Sequence, residues 1–255
     1  MALQLAAGEP EAGPWRTEPL STVIEALTGP GPGRAVWGRA VVLAVDGRSN
    51  GGKTTLAARI GDAVPGSAVV HADDIAWAHS RFGWADLLIE GILVPVRQGR
   101  AVSYRPPRWA EHGREGSIEV PADCPLLVIE GDGAGRREVA DLIDVLIWVQ
   151  SGECEAGRRA LARIGKPDES PTLQDHREWM AEEMPFSTAQ RTWERADVIV
   201  CGTPEIPCDP VTEIVVAPSL PPASALAGGS RLVLAGCGAG GFRGPGGLRH
   251  AGDGC

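Results

Sequence analysis

Apolar residues in this chain gather into short unbroken runs rather than alternating one by one with polar residues. AVVLAVDG at 40–47 is such a run, the pattern of a strand buried on both faces. Comparable runs recur at 67–74 (SAVVHADD), 124–133 (CPLLVIEGDG), 144–150 (DVLIWVQ) and 196–202 (ADVIVCG). The intervening stretches have helical spacing. They cover 53–62, 84–98 with Leu87, Leu88, Ile92 and Val96 on one face, 136–142, 152–164 and 173–195. Pro95 and Pro185 are expected to break two of them. Strands that alternate with helices predict an α/β fold, a parallel five-stranded sheet with helices on both faces.

The flanks read differently. Residues 1–17 are expected to be loose, and 18–28 to form a short helix that starts near Ser21 or Thr22 and stops at Gly29-Pro30. GPGPG at 29–33 reads as a linker and 165–171 as a loop. After residue 218 the chain is rich in Gly, Ala and Pro without periodicity and is expected to be disordered. The domain plan is therefore an N-terminal extension at 1–33, one folded domain at 34–217, and a tail at 218–255.

Composition narrows the function classes. The chain has 255 residues, 43% of them hydrophobic and 22% charged, with a net charge of −9. That is an ordinary folded protein, and its acidity argues against a nucleic-acid partner. No apolar run reaches the roughly 18 residues of a membrane span. The first residues lack a basic segment followed by an apolar core, so a cytoplasmic location is expected. The six cysteines form no CxxC pair and are expected to be free thiols. Lysine occurs only as Lys53 and Lys166, against 22 arginines. A lysine retained in such a chain invites a specific reason.

Lys53 has one. Gly47-Arg48-Ser49-Asn50-Gly51-Gly52-Lys53-Thr54 fits G-x-x-x-x-G-K-[ST] between a predicted strand and a predicted helix. The glycines let successive N–H groups turn toward phosphate oxygens, and the helix N-terminus adds positive potential. A lysine ammonium is a compact charge for the β- and γ-phosphates, where a planar guanidinium fits poorly. The hydroxyl of Thr54 suits Mg²⁺, and Ser49, Asn50 and Thr55 complete the cradle. In an open parallel sheet, ligands collect at the carboxyl ends of strands. Asp73 and Asp74 end one strand and Glu130 another. A carboxylate there can take a proton from an attacking hydroxyl or hold Mg²⁺; it can equally cap a helix or face solvent.

On these residues the chain resembles the uridine kinase and nicotinamide riboside kinase group of P-loop small-molecule kinases, over roughly 40–203. The shared pattern comprises the P-loop, ADDIAW at 72–77, Tyr104, EVPAD at 119–123, LLVIEG at 126–131 and ADVIV at 196–200. The resemblance implies a P-loop NTPase fold with a lid, ATP and Mg²⁺ as cofactors, and a small-molecule acceptor. It implies Asp73 as the base and Glu130, with Thr54 and Asp74, as the magnesium set. Arg158, Arg159 and Arg163 fall in the lid, with Arg159 toward the nucleotide and Arg163 closing on the transferred group. Two departures stand out. Trp109 occupies the place of a family histidine, and the lid is thinned to RRALARIGK at 158–166.

Between the second and third strands, Trp77, Phe82, Trp84, Tyr104 and Trp109 are interleaved with Arg81, Arg97, Arg100, Arg105 and Arg108. Trp77, Trp84, Tyr104, Arg105, Arg108 and Trp109 are the expected acceptor residues, since aromatics stack on planar rings and arginines bind anionic or carbonyl groups. Packing of the tryptophans over the sheet is the alternative. Three functions stay open: a kinase of a nucleoside-like acceptor, a kinase of an antibiotic, sugar or amino acid, and a nucleotide-binding regulatory ATPase. A homo-oligomer is possible; neither nucleic acid nor membrane is expected as a partner.

Overall fold

The computed structural model describes residues 4–29, 39–163 and 172–219. Most of the 29–33 linker, all of the 165–171 loop with Lys166, and the tail from 220 with Cys237 and Cys255 lie outside the described residues. The elements in chain order are β1 (Arg16–Pro19), α1 (Leu20–Thr28), β2 (Val41–Gly47), α2 (Lys53–Ala63), β3 (Ala68–His71), α3 (Ala72–Ala76), α4 (Ala85–Leu88), α5 (Val94–Arg97), β4 (Val102–Tyr104), α6 (Pro107–Glu111), β5 (Ile118–Val120), β6 (Leu126–Glu130), β7 (Val145–Gln150), α7 (Glu153–Arg163), α8 (Leu173–Gln190), β8 (Val198–Cys201) and β9 (Glu213–Pro218).

The central sheet has the order β1-β9-β8-β7-β2-β6-β3. Its five inner and right-hand strands, β8-β7-β2-β6-β3, are parallel and coincide with the five apolar runs. The fold is thus α/β with a mostly parallel sheet, as the alternation predicts. Two strands were not anticipated. β9 adds antiparallel to β8, and β1 antiparallel to β9, so the sheet has seven strands rather than five. A separate hairpin, β4-β5, stands off the sheet.

Alternate residues of each central strand feed two cores. Val42, Ala44, Ile129 and Ile199 face a layer that includes Trp84, Leu88, Ile92 and Trp193. Leu43, Val45, Val128 and Ile147 face α1 and α2 through Leu20, Ile24, Leu56 and Ile60. Each such side chain contributes about 1.5–3 kcal/mol by leaving water. Truncating Leu43, buried on the central strand, would cost about 2–5 kcal/mol.

The structure corrects several boundaries. The segment before residue 18 is packed, not loose. The Ala12 amide donates to the Gln150 side-chain oxygen at 2.8 Å, and the Trp148 indole N–H donates to Glu9 at 2.7 Å. Polar groups on a buried strand need partners, and this segment supplies them. Helix α1 begins at Leu20 behind Pro19 with no side-chain cap, rather than at Ser21 or Thr22. Neither proline ends its helix. A π-helical turn at Ile89–Leu93 carries the chain past Pro95, which has no N–H to give the preceding turn. Helix α8 runs through Pro185 and stops at Arg191, a left-handed residue at φ 46°.

Candidate active site

The phosphate-binding loop follows from the end of β2. Gly47 has φ +152°, and a Cβ there would sit 2.5 Å from the Val149 carbonyl oxygen, so the chain can turn beside β7 only as glycine. Asp46, just before it, is buried. It accepts hydrogen bonds from the amides of Gly47, Gly133 and Gly135 at 2.7–3.0 Å. That one carboxylate ties the loop to the turn after β6. Burial raises its pKa, and the three amides oppose the rise.

The loop opens into a cavity of about 1150 Å³, lined by Ser49, Asn50, Gly51, Gly52, Lys53, Thr54 and Thr55. Helix α2 starts at Lys53, so its N-terminal potential adds to the loop's. Lys53 donates to the Arg48 carbonyl at 2.8 Å and pairs with Asp132. Burial would lower the lysine pKa; the Asp132 carboxylate outweighs it, and the pKa is raised. Asp132 is a residue the sequence reading missed. It follows Gly131, whose φ is +143° and where a Cβ would lie 2.5 Å from Ala72 Cβ. This close approach brings the ends of β6 and β3 together.

The magnesium expectation divides. The Thr54 hydroxyl donates to Glu130, 3.2 and 3.3 Å from its two oxygens, and Glu130 also meets His71 Nδ1 at 2.6 Å. The Glu130 hydrogen bond raises the His71 pKa against the effect of partial burial. Asp74 is elsewhere, paired with Arg114 at 2.6 Å. Hard oxygen donors at Thr54 and Glu130 fit Mg²⁺, which keeps several waters and phosphate oxygens among its ligands. Among the described residues no group of three His, Cys, Asp or Glu that could hold a metal ion is present.

Asp73 lines the same cavity. Its pKa is raised, first by burial and then by Asp132; Lys53 pulls the other way. In the same cavity, Arg159 donates to the Asn50 carbonyl at 3.2 Å and the Gly202 carbonyl at 3.0 Å, and Arg163 donates to the Asn50 side chain at 3.1 Å. Arg158 is turned to Glu155. Arg159 and Arg163 thus both rest on the loop at Asn50.

The expected acceptor residues do not reach this cavity. Trp84 is 1% exposed, its indole N–H donates to the Arg81 carbonyl, and the Arg136 guanidinium lies 4.0 Å over its ring. Trp109 is 5% exposed, donates to the Asp74 carbonyl, and is covered by Arg114 at 3.7 Å. Neither offers a free face to a ligand. Trp77 packs edge-on to His112. Tyr104 lines a separate shallow hollow with Glu90 and Arg100. Arg105 donates to the Arg114 carbonyl, and Arg108 pairs with Glu111. The cavity is instead lined, besides the loop, by Arg81 and by Asp175, His176 and Trp179 of α8. The Trp179 indole N–H donates to Asp132 at 3.2 Å, and Arg81 pairs with Glu178 and Glu182.

Helix α8 also reaches the loop. Glu183 is 3% exposed, and its Oε1 accepts the Ser49 amide at 2.8 Å. Its pKa is raised to about 7 by burial and by Asp132, against the Ser49 amide, Lys53 and Arg48. No sequence motif marks Glu183, Asp132 or Trp179.

No family model matches this chain, and no curated protein matches it. Among solved structures, a possible uridine kinase from Bacillus stearothermophilus is 18% identical at a TM-score of 0.41, covering 70% of this chain and 95% of that one. A candidate fructose transport system kinase from Silicibacter sp. TM1040 is 18% identical at 0.42, covering 69% and 92%. Likenesses at this level carry no functional argument, which rests on the site itself. Among the described residues no helix is long and apolar enough to cross a membrane.

Proposed function

We propose that this chain is a P-loop phosphotransferase that moves the γ-phosphoryl group of ATP to a hydroxyl of a small, nucleoside-like molecule. The observation that carries the reading is convergence. Lys53, Thr54 and Glu130 at a phosphate-binding loop share one cavity with Asp73, a carboxylate crowded by Asp132 and Glu130.

The loop amides and Lys53 would hold the β- and γ-phosphates. Thr54 and Glu130 would hold Mg²⁺, which when bound supplies neutralisation of phosphate charge. Asp73 would orient the acceptor hydroxyl and take its proton as the new O–P bond forms. The bond from the γ-phosphorus to the β,γ-bridging oxygen breaks, and ADP leaves with that electron pair. A carboxylate with a raised pKa suits this role, because efficient proton transfer needs a base near the working pH. Arg159 and Arg163 line the phosphate side as counter-charges. Positioning and charge neutralisation account for most of such catalysis.

One observation favours a second reading, a kinase of a non-nucleoside acceptor. The cavity that holds Asp73 is lined by Arg81, His176 and Trp179 rather than by the Tyr104–Trp109 segment. Incubation with Mg-ATP and nucleosides, sugars, amino acids and hydroxylated antibiotics, read by phosphate mass shift, separates the two.

A further inference from the structure

Helix α8 has 18 residues, and the one side chain it buries fully is a carboxylate, Glu183. An apolar residue could fill that place without the cost of desolvating a charge. Glu183 is spent on the donor loop: Oε1 receives the Ser49 amide, while Oε2 is buried without a partner among the described residues. Three charged groups face it from the elements packed against it. Arg48 comes from the loop, Lys53 from the start of α2, and Asp132 from the turn after β6. Arg48 Nη1 is likewise buried without a partner among the described residues. On α8 itself, the neighbouring Glu182 is turned away to Arg81.

This arrangement changes when a triphosphate arrives. The phosphates bring several negative charges to the loop that Glu183 braces. They also draw on Lys53, the cation that Glu183 and Asp132 share. An ionised Glu183 is then disfavoured, whereas its carbonyl oxygen can keep the Ser49 amide in either protonation state. We propose that Glu183 is a positioning residue of the donor loop and that a nucleoside triphosphate enters together with one proton, which Glu183 receives. The inference rests on the nucleotide-binding part of the proposed function. It adds that donor affinity is coupled to pH through a helix that also walls the acceptor end.

The test is calorimetric titration of the full chain with a non-hydrolysable ATP analogue and Mg²⁺ at pH 7, in buffers of different ionisation enthalpy. A group near its midpoint is half protonated, so the wild type should take up about half a proton more than Glu183→Gln. The analogue's own phosphate and His71 also titrate, but both are present in the variant, so the difference isolates Glu183. From pH 6 to 8 wild-type affinity should fall by up to about tenfold relative to Glu183→Gln. Glu183→Gln keeps an oxygen for Ser49 and should bind at least as tightly as wild type, whereas Glu183→Ala should bind about tenfold more weakly. Equal proton uptake in wild type and Glu183→Gln overturns the proposal.

If the variants fail to fold, carboxyl-carbon NMR of the wild type decides. One glutamate should titrate near pH 7 and move upward with the analogue bound; ordinary titration of every glutamate overturns the proposal. Absence of analogue binding overturns both this inference and the kinase reading. Proton-linked binding without transfer to any acceptor sustains the inference while the kinase reading fails.

Discussion

Lys53 and Asp132 form a buried ion pair at the phosphate-binding loop, and the same aspartate accepts the indole N–H of Trp179 on α8. The lysine that a phosphate would claim is therefore already shared with a carboxylate. Asp132→Asn should release it. The expected result is about tenfold tighter binding of a non-hydrolysable ATP analogue, in line with ~1–2 kcal/mol for one partly screened charge pair. Stability should fall by about 1–3 kcal/mol, because Lys53 then loses a buried partner. Calorimetry and urea unfolding read the two effects, and unchanged affinity would show that Asp132 does not compete with phosphate.

Asp73 is assigned the acceptor's proton rather than the nucleotide. Asp73→Asn should lower turnover by about 10²–10⁴-fold while leaving ATP-analogue affinity within about twofold. Equal loss of both would move Asp73 to a metal or folding role. The variant's residual rate should also lose the rise with pH that a base of raised pKa imposes.

Glu183 has a stability signature as well as a binding one. Its pKa is raised from 4.5 to about 7 in the folded protein. The folded state therefore holds the proton more tightly than the unfolded chain does. That contribution is fully present below the unfolded pKa and is lost as pH rises through about 7. Glu183→Gln should thus gain stability relative to wild type as pH goes from 4.5 to 8, by on the order of 3 kcal/mol at most. Urea unfolding of both proteins at pH 5 and pH 8 measures it, and a constant difference between them would remove Glu183 from this titration.

The two tryptophans Trp84 and Trp179 should part company on substitution. Trp84→Ala should cost about 3–5 kcal/mol of stability, since it empties a buried site beneath Arg136. Trp179→Ala, on the cavity wall, should cost far less and act on the acceptor's KM. A Trp84 variant that is stable but raises KM would restore the sequence-based acceptor assignment.

What the sequence made legible was whatever is local. The five parallel strands are continuous apolar runs, and the phosphate-binding loop is a contiguous motif whose Lys53 stands out in an arginine-rich chain. The ends of β3 and β6 put Asp73 and Glu130 near the loop by topology alone. The rest depends on contacts between distant segments. Helix α8 meets the loop across 134 residues of chain, through Glu183 and Ser49, and no periodicity records that. Asp132 belongs to the site only because Gly131 lets β6 press against Ala72. Strand β1 straddles a stretch expected to be loose and the first residues of an expected helix, because RTEP carries no strand signal until β9 offers it an edge. The tryptophans at 84 and 109 belong to the core beside the sheet, with an arginine stacked on each ring.

Phosphoryl transfer itself is the most direct measurement of the central claim. Purified protein would be incubated with Mg-ATP and a mixed panel of hydroxylated small molecules, with Lys53→Ala in parallel, and phosphorylated products identified by mass. The account predicts one acceptor class shifted by a phosphoryl group, and a rate lower by at least about 10²–10³-fold in Lys53→Ala. Transfer that persists in Lys53→Ala, or ATP turnover that no acceptor in the panel diverts, would contradict it.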